Sequence, residues 1–148
     1  MLCSNKKGTE GNMTRREARE QALCLVFEGL FKEENVSEIL DLAVQAREEF
    51  LVDTFAEMLA TGVYDHRDDI DRKIEQYAIG WTKSRLSRVV LTVLRIAFFE
   101  LLYEQDTPDS VAINEAVELA KKYGGDGDSA FVNGVLGAFV RAEKADAT

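Results

Sequence analysis

The segment from Val89 to Tyr103 constrains the fold most strongly, because its only polar residues are Thr92, Arg95 and Glu100. A helix this apolar must be enclosed by other helices on most of its circumference. It is too short, and too charged at Arg95 and Glu100, to cross a membrane. The sequence therefore predicts a central helix inside an all-helical domain.

Apolar residues that recur every three or four positions predict further helices on both sides of this segment. Thr14 and Glu17 have the form of a capping box, which marks a helix start. Pro108 suits a helix start, because its missing N–H has no intrahelical partner there. The other predicted helices run from Thr14 to about Leu30, from Ser37 to about Leu59 with Gly62 at the end, over Asp68–Ile79, from Pro108 to the Gly124-Gly125 pair, and from about Ser129 to Arg141.

Length and composition predict one all-α domain, a single compact bundle of about six to seven helices over residues 13–142. The chain has 148 residues, of which 46% are hydrophobic, enough for one core. Residues 1–12 and 143–148 are polar and are predicted to be tails. The absence of a signal peptide and of a membrane span predicts a cytoplasmic protein. With one histidine, two cysteines and no CxxC pair, we expect no metal site, cofactor or catalysis.

The charge is unevenly distributed along the chain. The formal net charge is −9, which by itself disfavours a nucleic-acid partner. Residues 1–19, however, carry five basic and two acidic side chains, whereas residues 32–76 carry five basic and thirteen acidic ones. Phosphate responds to the local potential within roughly 10 Å at moderate salt. A basic end on an acidic body is therefore compatible with RNA binding.

Three arginines at the start of the first predicted helix are candidate phosphate ligands. Arg15, Arg16 and Arg19 share one helical face, and each guanidinium presents a fork of donors to a phosphate. The alternative is a solvated helix start in which Glu20 pairs with Arg16. Spacing alone favours that alternative.

A second candidate site is the Gly124–Ser129 turn together with the start of the last predicted helix. Asp128 or Ser129 is predicted to cap that helix, and an EF-hand calcium loop is rejected because Gly137 occupies its twelfth position. Phe131 could stack on an unpaired base, and Asn133 could read a base edge. The alternatives are core packing for Phe131 and a backbone hydrogen bond for Asn133.

Four segments of the chain together resemble the NusB family. They are TRREAREQAL (14–23), VLRIAFFEL (93–101), VAINEAVELAKKYG (111–124) and FVNGVLG (131–137). The resemblance covers about Met13 to Phe139. It implies an all-helical transcription antitermination factor that binds the boxA element of ribosomal RNA leader transcripts. It also implies partnership with NusE (a small-subunit ribosomal protein) and with elongating RNA polymerase, and in some bacteria a homodimer.

The resemblance also assigns roles to individual residues. Arg15, Arg16 and Arg19 match the family's arginine-rich RNA contact. A second RNA-facing element of the family, at the start of the last helix, is matched here by Asp128, Ser129, Phe131 and Asn133. The expected partner surface lies near Arg88, Val90 and Leu91.

The chain departs from the family pattern at three places. Ala130 replaces a residue that is commonly basic, which removes one possible phosphate contact. Val90-Leu91 replaces an acid–base pair, so the NusE contact is expected to differ or a self-association surface to be larger. Residues 1–12 precede Met13, which is the expected native start. Two alternatives remain: a NusB-like domain from an RNA cytosine methyltransferase, and a homodimer that masks its arginines.

Overall fold

Every regular element in the residues that the structure describes is an α-helix. The computed structural model describes residues 13–32, 52–80 and 86–144. Within them the helices are α1 (Arg15–Lys32), α2 (Thr54–Asp65), α3 (Arg67–Tyr77), α4 (Arg88–Tyr103), α5 (Asp109–Tyr123) and α6 (Asp128–Glu143). The all-α prediction is confirmed. None of these six helices is long and apolar enough to cross a membrane.

The helices fall into two units, residues 1–65 and 66–148, and each is described by itself. In the first unit α1 packs on α2. The predicted capping box at the start of α1 is confirmed, because the Glu17 N–H donates to Thr14 Oγ1 and the Thr14 N–H donates to Glu17 Oε1, both at 3.1 Å. This box satisfies N–H groups that the first helical turn leaves without partners.

The start of α2 corrects the predicted helix from Ser37 to Leu59. Its part over 37–51 lies outside the described residues, and α2 begins only at Thr54. Asp53 caps it, since Asp53 Oδ1 accepts the N–H groups of Phe55 at 2.8 Å and Ala56 at 3.3 Å. Gly62 does not end the helix, which continues to Asp65. Burial of Val63, which is 2% exposed, offsets the roughly 1 kcal/mol that a glycine costs inside a helix.

In the second unit, α4 is the central helix that the sequence predicts. Ser87 caps it by accepting the Val90 N–H on its hydroxyl at 3.1 Å. Every residue from Val90 to Leu101 is buried. The helices α3, α5 and α6 all contact α4. A helix that is apolar around its whole circumference thus has neighbours to cover it.

One buried ion pair crosses from α4 to α3. Arg95 Nε donates to Asp71 Oδ1 at 2.9 Å, and Arg95 Nη2 donates to Asp71 Oδ2 at 2.8 Å. Both side chains are 6% exposed. The guanidinium fork therefore meets both carboxylate oxygens, the geometry in which such a pair is strongest. The pair accounts for a charged side chain on the otherwise apolar and buried α4.

Pro108 and Gly124 mark the two ends of α5. Pro108 occupies the position before its first residue, as its missing N–H predicts. At the other end α5 stops at Tyr123, and the Gly124 N–H donates to the Ala120 carbonyl at 2.8 Å. The last helix, α6, then begins at Asp128.

A surface cluster of Lys73, Tyr77 and Glu143 joins α3 to the end of α6. Lys73 Nζ donates to both carboxylate oxygens of Glu143, at 2.7 and 2.8 Å, and the Tyr77 hydroxyl donates to the same carboxylate. The lysine hydrogen bonds, with that of Tyr77, hold the pKa of Glu143 below its usual value of 4.5. The hydrogen bond to Glu143, burial and the carboxylate charge raise the pKa of Tyr77.

We expect this cluster to make stability depend on pH in the acid range. A depressed carboxyl pKa in the folded state contributes stability above the unfolded value of 4.5, and that stability is lost as the pH falls through the folded value. Glu143→Gln should lower the urea midpoint at pH 7, and its difference from the parent should shrink towards pH 3. Glu118→Gln is the control, because Glu118 pairs with Lys121 within one helix. A Glu143→Gln difference that stayed constant over this range would contradict the prediction.

Candidate RNA interface

The start of α1 presents two arginines on the surface of the first unit. Arg15 and Arg16 are both exposed and occupy the first two helical positions. Backbone N–H groups and the positive end of the helix dipole lie at the same end. Two guanidiniums and a helix N-terminus therefore favour anions at this surface. These are two of the three arginines that the sequence predicts as phosphate ligands.

Arg19, the third predicted ligand, is not on that surface. It is only 4% exposed, so of the three arginines that share a helical face by spacing, only Arg15 and Arg16 are exposed. Arg19 lies one turn further along α1, beside the buried residues Ala18 and Ala22. Its guanidinium carbon lies 5.2 Å from the centre of the Phe55 ring on α2.

Phe55 also contacts Arg15, a role that sequence reasoning missed. The guanidinium carbon of Arg15 lies 4.1 Å from the centre of the Phe55 ring, within the range of a cation–π interaction. The sequence predicts Phe55 only as one apolar position in a helix. No sequence signal connects a phenylalanine to an arginine forty residues earlier, because only tertiary packing brings them together.

The Gly124–Ser129 turn lies in the second unit and has a defined backbone. Gly127 adopts φ +84° and occupies the position before α6, a left-handed conformation that glycine adopts at least cost. Gly124 has no room for a side chain, since a Cβ there would lie 2.6 Å from the Ala120 carbonyl oxygen. The turn thus requires glycine at two of its positions for different reasons.

Asp128 holds this turn closed, which corrects the prediction that Asp128 or Ser129 caps α6. The cap position belongs to Gly127, and no side chain caps the helix there. Asp128 is instead the first helical residue, and its carboxylate turns back to accept the Gly125 N–H at 2.7 Å. The acidic group also lies in the first turn of α6, where the helix dipole favours negative charge.

The remaining predicted residues of this element lie along the first turns of α6. Ser129 and Phe131 are partly exposed, and Asn133 is exposed. The Phe131 N–H donates to the Gly127 carbonyl at 3.0 Å, so the turn and the aromatic residue are joined by the backbone. The structure therefore places Asp128, Ser129, Phe131 and Asn133 on one short stretch of the second unit.

The expected partner surface near the start of α4 is only partly present. Arg88 is exposed, but Val90 and Leu91 are 2% and 8% exposed. The expectation that these two apolar residues lie on a partner surface is wrong in this structure. They are buried because α4 is enclosed from its first turn onwards. Among the described residues, no group of three or more His, Cys, Asp or Glu side chains is placed to hold a metal ion.

Comparison with known proteins identifies relatives over most of the chain. A transcription antitermination protein NusB from Clostridium novyi (strain NT) is 41% identical over 133 residues, which are 88% of this chain and 100% of that protein. One from Lysinibacillus sphaericus (strain C3-41) is 40% identical over 131 residues, again covering 88% and 100%.

Solved structures with this fold include NusB proteins. T. maritima NusB is 34% identical, with a TM-score of 0.73 over 86% of this chain and 91% of that one. A crystal structure of the antitermination factors NusB and NusE in complex with double-stranded RNA contains a chain 27% identical, with a TM-score of 0.75 over 86% and 96%. The family model described as "NusB family" matches residues 16–141. The chain therefore belongs to the NusB family.

Proposed function

We propose that this protein is an RNA-binding transcription antitermination factor that acts on boxA-type RNA. The observation that carries the proposal is the pair of exposed arginines, Arg15 and Arg16, at the N-terminus of α1. Membership of the NusB family, whose C. novyi member is named a transcription antitermination protein, supports the same function. One related fold was solved with NusE and double-stranded RNA.

Charge distribution explains how an acidic protein can hold a polyanion. Guanidinium forks bind phosphate oxygens with two donors at once, and the N-terminus of α1 adds backbone N–H groups and partial positive charge. Glu17 lies close to these arginines in the chain, but its carboxylate accepts the Thr14 N–H in the capping box. Attraction to RNA is thus local to this end of α1, while the net charge of −9 opposes nonspecific binding elsewhere.

The second unit contributes base contacts in this proposal. Phe131 and Asn133 supply a partly exposed aromatic face and an exposed amide, the two groups that recognise unpaired bases by stacking and by hydrogen bonds to base edges. Ser129 adds a hydroxyl. Asp128 is better assigned to closing the turn, because its carboxylate accepts the Gly125 N–H and would repel a phosphate.

Partners complete the proposed function. We assign NusE and the elongating RNA polymerase as protein partners, with binding rather than catalysis as the activity and the bacterial cytoplasm as the compartment. The C. novyi relative is named a transcription antitermination protein, which favours this function over that of a domain from an RNA methyltransferase. Arg88 is the residue we retain for the NusE contact, since it is the exposed one of the three predicted there. A homodimer remains a prediction.

A titration of labelled boxA RNA against salt tests the proposal. Each of Arg15→Ala and Arg16→Ala should weaken binding roughly tenfold. Each should also reduce the slope of log affinity against log salt by about 0.7, the value for one phosphate contact on a single strand. Added NusE should tighten binding of the parent protein. Arg19 is left unchanged, because replacing a buried arginine would confuse RNA binding with stability.

Arg72→Ala provides the matched control. It removes the same charge from an exposed arginine on α3, one that pairs with Asp69. Its RNA affinity and salt slope should match those of the parent protein. If the parent failed to bind boxA RNA with or without NusE, the proposed function would be wrong. If it bound but neither arginine variant changed the slope, the function would stand and the site would lie elsewhere.

A further inference from the structure

Two cationic side chains of α1 lie against the ring of Phe55. The guanidinium carbons of Arg15 and Arg19 lie 4.1 and 5.2 Å from the ring centre. Phe55 is 7% exposed, whereas Arg15 is exposed. Phe55 is therefore a buried residue of α2 that contacts the exposed Arg15, which we assign to RNA binding.

The position of the ring is fixed by the first turn of α2. Asp53 Oδ1 accepts the Phe55 N–H at 2.8 Å, which sets the backbone from which the ring projects. The Asp53 N–H in turn donates to Gln21 Oε1 at 2.9 Å, and Gln21 lies on α1. One hydrogen bond within the start of α2 thus orients Phe55, and one from Asp53 to Gln21 ties that start to the helix that carries the two arginines.

A guanidinium held against an aromatic ring has fewer conformations than one in solvent. Arginine loses much side-chain rotamer freedom when a ligand immobilises it, and this loss opposes binding. Because the ring contact exists before RNA binds, part of this loss of rotamer freedom has already occurred in the free protein. Stacking uses the face of the guanidinium, so the N–H donors at its edge stay available to a phosphate.

We propose that Phe55 is a positioning residue for RNA binding, which holds the Arg15 guanidinium ready for a phosphate. This inference rests on the proposed function, since it presumes that Arg15 contacts RNA. Arg19, which is buried, lies against the same ring. The aromatic ring therefore affects RNA affinity without contacting RNA.

A thermodynamic cycle on boxA RNA tests this role. Phe55→Leu keeps an apolar side chain and removes the π face, so RNA affinity should fall about two- to fivefold, the range of an exposed cation–π contact. In an Arg15→Ala background the same replacement should leave affinity unchanged, because the residue that the ring positions is gone. Phe55→Tyr keeps the ring and should restore parental affinity.

Phe98→Leu is the control for a general loss of packing. Phe98 is a fully buried phenylalanine of the second unit, and its replacement should lower the unfolding temperature with RNA affinity unchanged. The inference is overturned if Phe55→Leu binds as the parent does, or if its defect persists with Arg15→Ala. Failure of the parent to bind RNA would instead overturn the proposed function, so the two failures are distinguishable.

A measurement on the unaltered protein covers the case in which Phe55→Leu does not fold. In the free protein, ring current from Phe55 should shift the Arg15 side-chain Nε–H resonance, which Arg15→Lys would assign by its disappearance. Nitrogen relaxation should show that this group is more ordered than the Nε–H of Arg72, an exposed arginine in the second unit. An unshifted and equally mobile Arg15 resonance would overturn the inference.

Discussion

Replacing Asp71 by asparagine should destabilise the protein by about 3–5 kcal/mol, the usual cost of removing one partner of a buried ion pair. The replacement leaves the Arg95 guanidinium, whose side chain is 6% exposed, without the carboxylate that accepts both of its hydrogen bonds. The uncompensated buried charge, rather than the lost attraction, supplies most of this cost. Equilibrium unfolding in urea, followed by helical circular dichroism, measures it.

Two further variants separate this mechanism from a loss of contacts. Asp69→Asn removes the exposed partner of Arg72 and should cost less than about 1 kcal/mol. The double replacement Asp71→Leu/Arg95→Met removes both charges and should recover much of the stability that Asp71→Asn loses. If Asp71→Asn cost no more than Asp69→Asn, the buried pair would not contribute as we infer.

Local sequence signals predict much of the fold. Three of these signals act through the backbone within three or four residues, so they can be recognised without tertiary structure. They are the capping box at Thr14, Pro108 before α5 and Gly124 after it. The apolar run of α4 is equally informative, because burial on all sides follows from composition alone.

The errors occur where distant packing overrides a local signal. Gly62 suggests a helix end, yet burial around Val63 carries α2 to Asp65. The side chain of Asp53 accepts two N–H groups of α2. The sequence does not show that Asp53 is a cap, because the apolar pattern continues on both sides of it without interruption. A period of 3.6 residues indicates that a helix forms and is less informative about where it starts.

The sequence predicts only part of the candidate interface, because packing between distant segments decides the rest. Helical spacing puts Arg15, Arg16 and Arg19 on one face of α1, but it cannot tell which part of that face α2 covers, so it does not predict that Arg19 is buried. Analogy similarly assigns Val90 and Leu91 to a surface, whereas the enclosure of α4 buries them. The contacts of Phe55 depend on an approach between helices that sequence spacing does not encode.

Phe139→Ala is expected to destabilise the protein by about 3–5 kcal/mol, as large-to-small replacements of buried phenylalanine do. Phe139 is 1% exposed and lies on α6, where its ring meets those of two other helices edge-on. The ring centre of Phe98 on α4 is 5.1 Å away, and that of Tyr77 on α3 is 5.6 Å away. Removing it leaves a cavity where three helices converge, so little collapse can fill the space.

A double-mutant cycle separates the aromatic pairing from simple burial. Phe98→Leu and Phe139→Leu, singly and together, should show a coupling of about 0.5–1.5 kcal/mol, since edge-to-face rings contribute beyond the area that they bury. Val140→Ala is the control, because the adjacent side chain on α6 is only half-buried and should cost at most about 1 kcal/mol. Urea midpoints measure all five variants. Additive single effects would show that burial alone accounts for the stability at this junction, and a Phe139→Ala cost no larger than that of Val140→Ala would contradict its place in the core.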